Sequence, residues 1–119
     1  MADDKRQTPR IQPFVAGCRV LYGAGPRALA GYLTDLSPRG AQVSSEGLPP
    51  PPEAEVVLEV RLGRAPALTR LPARVKWIRP AERGDWHAFG LSFEGISAAE
   101  QRTLETVVDE FRRRAAQLS

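Results

Sequence analysis

Between Phe14 and Glu94 the apolar residues fall mostly at alternate positions, in short runs broken by Gly, Pro and Ser. That is the period of a half-buried strand, whose side chains point to opposite faces in turn. Arg19-Val20-Leu21-Tyr22 reads as a strand that stops at the turn signal Gly23-Ala24-Gly25-Pro26. A second strand is expected over Leu29 to Asp35 and a third over Ala41 to Ser44. Pro49 to Pro52 lacks backbone donors and is expected to form an extended loop. Val56, Leu58, Val60 and Leu62 then alternate with Val57, Glu59 and Arg61. Leu71, Ala73, Val75 and Trp77 share one face of a fifth strand, and Phe89, Leu91 and Phe93 share one face of a sixth. By this alternation Trp77 belongs with the core or the rim of the sheet.

The period changes after Glu94. Ser97-Ala98-Ala99-Glu100 is a capping box, with Ser97 as N-cap and Glu100 three residues on. Leu104, Val107, Val108, Phe111, Ala115 and Leu118 follow at helical spacing along one stripe. Arg112, Arg113 and Arg114 are expected in the last turns, where cations complement the helix dipole. Six closely spaced antiparallel strands in so short a chain point to a closed or nearly closed barrel, because closure removes exposed edges. The helix must lay its apolar stripe on that barrel. The expected fold is therefore all-β with a C-terminal helix over 97–117. A mobile basic segment occupies 1–12, and barrel plus helix fill 13–119.

Composition narrows the function classes. The chain has 119 residues, 42% hydrophobic and 26% charged, which is the balance of one globular domain. Lys and Arg number 17 against 14 Asp and Glu, a net charge of +3, so an anionic partner is favoured only where the cations cluster. Cys18 is the only cysteine and His87 the only histidine. An internal disulfide is excluded and a zinc site of Cys and His ligands nearly so. No run approaches the roughly 20 apolar residues of a membrane helix, and Met1-Ala2-Asp3-Asp4 does not open a signal peptide. A cytoplasmic location without a membrane partner is the expectation. No cofactor or metal is expected.

Two short constellations carry candidate chemistry. Arg6-Gln7-Thr8-Pro9-Arg10 is R-x-x-x-R, and Asp35-Leu36-Ser37-Pro38-Arg39-Gly40 is D-x-S-x-x-G. In an extended segment Arg6 and Arg10 point the same way, roughly 13 Å apart, and Pro9 disfavours helix at the residue before it. Arginine forks match phosphate oxygens and the O6 and N7 acceptors of guanine, and guanidinium planes stack on purines. Asp35 can accept from guanine N1–H and N2–H₂, and Ser37 can bond phosphate, base or backbone. An Asx-type turn would employ the same Asp and Ser on local amides. Gly40 suits a positive φ or a close approach.

Together the two motifs, in this order on this strand layout, resemble the PilZ family of bacterial receptor domains for cyclic di-GMP. The resemblance extends over most of the chain and includes Leu71-Pro72-Ala73-Arg74-Val75 and Phe89-Gly90-Leu91-Ser92-Phe93. It implies a six-stranded antiparallel barrel whose arginine motif precedes the first strand. It also implies a cyclic di-GMP site made by Lys5, Arg6, Arg10, Asp35, Ser37, Arg39 and Gly40. Two departures from the family stand out. Arg39 occupies a place where the family often has glycine, and it either adds a phosphate contact or obstructs the ligand. Lys5 fills the place of a further basic residue before the motif, as a point charge without the fork.

The leading expectation is a non-enzymatic receptor, monomeric or weakly dimeric, whose tail orders on the nucleotide and which signals through an unidentified downstream protein. The second is a degenerate PilZ-like adaptor that binds a protein and not the nucleotide. The third is a basic barrel for nucleic acid, disfavoured because the basic segments lack interleaved aromatics. Trp86 and His87 beside Gly84-Asp85 could line a pocket, but a lone His next to an aromatic is more often structural. Cys18 and Ser37 have no base partner at a signature spacing.

Overall fold

A computed structural model describes residues 16–23, 27–61, 68–80 and 86–118. The strands are β1 (Ala16–Tyr22), β2 (Arg27–Leu36), β3 (Gly40–Ser45), β4 (Glu55–Val60), β5 (Thr69–Arg79) and β6 (His87–Phe93). One helix, α1 (Ala98–Leu118), follows. All neighbours are antiparallel, in the order β1-β2-β3-β6-β5-β4, and β4 pairs back onto β1 to close the barrel. The expected class is thus the observed one. Several strands extend past the apolar runs that announced them. Arg27 and Ala28 join β2 because Tyr22 and Leu21 of β1 pair with them, whatever their hydropathy.

The inward faces make one core. Val20, Leu33, Leu58, Leu71, Val75 and Phe89 are fully buried, as is Leu104 of the helix. Val107, Val108 and Phe111 join the same cluster, so the helical stripe is buried on the barrel as its period requires. Cys18 lies inside, and burial pushes its thiol up to about 12. The capping box forms as read: Ser97 Oγ accepts from the Glu100 N–H at 3.1 Å, and the Ser97 N–H donates to Glu100 Oε1 at 2.8 Å.

The helix continues to Leu118, which leaves no basic residue in its last turn. Arg112 to Arg114 therefore do not cap the dipole as expected. Arg113 and Arg114 instead pair with Glu110, one turn back, at 2.9 and 3.4 Å. No described helix is long and apolar enough to cross a membrane.

Candidate functional site

The D-x-S-x-x-G motif spans the end of β2, a turn and the start of β3. Leu33 pairs with Val43 and Asp35 with Gln42, so Thr34 is an extra residue, a β-bulge. Strict alternation from Leu33 would send Asp35 inward. The bulge reverses this: Asp35 is exposed while Leu36, at 1% exposure, enters the core. The strand ends at Leu36, so Ser37 lies in the turn that follows it.

Local bonds fix that turn. Ser37 Oγ accepts from the backbone N–H groups of Arg39 (3.2 Å) and Gly40 (3.3 Å), and the Ser37 N–H donates to the Gly40 carbonyl at 2.9 Å. Asp35 Oδ1 accepts from the Leu36 N–H at 3.0 Å. Asp35 and Ser37 thus serve the backbone: the Ser37 hydroxyl is fully engaged, donating in turn to the Gly40 carbonyl at 3.4 Å, while the Asp35 carboxylate keeps further acceptor capacity. Gly40 answers the question left open by its sequence. It lacks a positive φ; a Cβ there would collide with the Leu91 carbonyl of β6. Its use is close strand approach.

A second bulge faces the first across β3 and β6. Val75 pairs with Leu91 and Trp77 with Gly90, leaving Lys76 extra. Trp77 is thereby turned off the face of Leu71, Ala73 and Val75, so of its two expected places, core and rim, the core is excluded. Its indole lies over Gly90, where any Cβ would collide with the ring. The Arg79 guanidinium sits 5.0 Å from the ring centroid.

The two bulges open a cleft of about 310 Å³, lined among others by Asp35, Ser37, Arg39, Gly40, Lys76 and Trp77. A carboxylate, the hydroxyls of Ser37 and Ser92, the Gln42 amide, two cations and an aromatic therefore converge on one hollow. Among the described residues Lys76 pairs with Glu53, at 3.7 Å, a separation at which a stronger anion can compete for it. Trp77 and Lys76 were not legible as site residues, because nothing in an alternating run marks where an extra residue will sit. Lys5, Arg6 and Arg10 lie outside the described residues.

Elsewhere the candidates are weaker. Trp86 packs on Tyr32, ring centroids 5.9 Å apart, and the Gly84-Asp85 turn lies outside the described residues. No group of three or more His, Cys, Asp or Glu side chains suited to a metal occurs among the described residues.

The sequence matches the PilZ domain family over residues 4–110. No curated protein matches it. Among solved structures it is similar to the PilZ domain of YcgR from Escherichia coli, determined with c-di-GMP, with a TM-score of 0.69 at 20% identity, covering 86% of this chain and 85% of that one. It is also similar to the Bacillus subtilis inhibitor of motility MotI/DgrA, with a TM-score of 0.61 at 20% identity, covering 85% of this chain and 48% of that one. The chain thus spans about half the length of the second neighbour.

Proposed function

The chain belongs to the PilZ family, and from that premise we propose that it is a receptor for cyclic di-GMP that binds the dinucleotide in the cleft between the two bulges. The observation that carries this reading is the convergence of Asp35, Ser37, Arg39 and Gly40 with Trp77 and Lys76 on one hollow. Each supplies what a cyclic guanine dinucleotide needs. Asp35 accepts from a guanine N1–H and N2–H₂, and Lys76 and Arg39 meet phosphate charge. The Trp77 indole offers a face for stacking a purine.

Arg6 and Arg10 complete the site by folding over the ligand, with Lys5 beside them. Ordering such a tail costs about 1–2 kcal/mol per residue, so the arginine forks must more than offset that cost. Loss of one fork is then severe rather than graded. Arg10→Ala should abolish binding in calorimetry while the circular dichroism spectrum stays that of the parent. Near-parental affinity would overturn the reading.

An adaptor reading keeps the fold without the nucleotide. The position of Arg39 in the cleft, where its side chain can obstruct the ligand, favours it. Titration of the parent chain with cyclic di-GMP decides between the two: heat and tail ordering support the receptor, their absence the adaptor. The receptor acts in the cytoplasm, without catalysis, by presenting a changed surface to a downstream protein.

A further inference from the structure

A second cleft, larger than the one at the motif, lies elsewhere on the barrel. It measures about 870 Å³ and lies on the outer face of β1, β4 and β5. Strand register arranges its floor in three rows. In the first, Arg19 stands beside Glu59 and Glu59 beside Arg70. In the second, Leu21, Val57 and Pro72 are neighbours, and the Glu94 N–H extends the row by donating to the Pro72 carbonyl at 3.1 Å. In the third, Glu55 pairs with Arg74.

The outer rows carry inverted charge. Glu59 is 5% exposed and shared by Arg70 at 2.7 Å and, more loosely, by Arg19 at 3.7 Å. Two cations over one carboxylate leave that end basic, and both guanidiniums keep more than half their surface open, at 61% and 64%. At the other end Arg74 is shared by Glu94 at 3.0 Å and Glu55 at 3.1 Å. These two carboxylates hold Arg74 charged more firmly than usual, Glu94 foremost. Glu55 and Glu94 line the cleft at this end while Arg74, which they share, does not; Arg27 lines the rim as well, so this end is acidic relative to the other. Glu55 is 81% exposed. Between the ends runs the half-buried apolar row.

We propose that this cleft docks an extended peptide segment of a protein partner with the pattern acidic-x-apolar-x-basic, in either chain direction. The occupant follows from the spacing. The three rows sit at positions i, i+2 and i+4 of the strands, so the charged ends are roughly 13 Å apart. A peptide laid along the strands presents its own i, i+2 and i+4 side chains to one face with the same period. Its carboxylate meets Arg19 and Arg70, its apolar residue Leu21, Val57 and Pro72, and its cation Glu55 and Glu94. The closed barrel offers no free edge for an added strand, so recognition must use a face. The proposal does not depend on nucleotide binding.

The test is selection from a random peptide library displayed on phage, against the full chain and against Glu55→Lys, whose side chain is too exposed to support the fold. The expected consensus on the parent carries opposite charges four residues apart with an apolar residue midway. On Glu55→Lys the basic position should change to an acidic one. A peptide selected on the parent should bind Glu55→Lys about tenfold more weakly, since a like charge now faces its cation. No enrichment, a consensus without that spacing, or one unchanged by Glu55→Lys would overturn the proposal. So would sedimentation showing a dimer that Glu55→Lys dissolves, because the occupant would then be a second copy of the chain.

Discussion

The two clefts share strand β5 yet are built in opposite ways. The larger one is regular sheet: its rows are what uninterrupted register makes of Arg19, Glu59 and Arg70 and of Leu21, Val57 and Pro72. The motif cleft exists because register fails twice, at Thr34 and at Lys76. Each bulge turns one residue, Asp35 or Trp77, from the face its alternation assigns to the other. Regular sheet distributes charge and apolar area over a broad surface. Irregular sheet concentrates unlike groups in a small hollow, and for that reason bulges gather at binding sites. Glu53 lies between the two, its carboxylate on Lys76 at 3.7 Å and its carbonyl accepting from Arg74 Nη1 at 2.8 Å.

If this contrast is right, the close strand approach beside the irregular cleft tolerates added bulk poorly, and the regular face tolerates truncation well. The largest effect is expected at Gly40. Gly40→Val drives a side chain into the Leu91 backbone, which cannot move aside. It should lower unfolding free energy by about 3 kcal/mol or more in urea titration. Val57→Ala, half-buried on the regular face, should cost less than about 1 kcal/mol. Comparable losses would erase the distinction.

Trp77→Ala sharpens the contrast from the ligand's side. Because the indole lies on the outer surface, stability should change little. Affinity for cyclic di-GMP should fall by about 1–3 kcal/mol, the range of a lost base stack. A large stability loss with unchanged affinity would return Trp77 to the core, one of the two places alternation allowed it.

The interior beneath both clefts has one titrating thiol. Burial raises Cys18 from the ordinary thiol range to about 12. Above pH 9 the unfolded chain has released this proton and the folded chain retains it, so stability falls as pH rises. The slope is about 1.4 kcal/mol per pH unit until the folded thiol ionises. Denaturation between pH 8 and 10.5 should show this slope in the parent relative to Cys18→Ala; parallel curves would refute it.

A comparably small effect is expected in the charged row. Glu59→Gln removes two ion pairs, but both arginines are more than half exposed and return to water. The loss should be about 1 kcal/mol by the same denaturation measurement. A much larger loss would mean that the regular face is itself a stability element.

Most of the fold was legible along the chain because its signals are local. Period-2 alternation marks a strand without reference to its partner, and Ser97 with Glu100 closes a cap within one turn. Asp35, Ser37 and Gly40 were legible for the same reason, since they share one turn. The ends of β2 and the role of the α1 arginines were misjudged where neighbours decide: Arg27 is a strand residue because Tyr22 pairs with it, and Arg113 and Arg114 turn back to Glu110.

Element order, the inward faces and the capped helix thus followed from the order of residues, because hydropathy period and capping act over a few positions. Two things waited for the folded barrel: the face that Trp77 presents, and the meeting of Arg19 with Glu59 and Arg70. Both are properties of register. Register is set when distant strands bury their apolar sides together, and one extra residue in the ladder reverses every face beyond it.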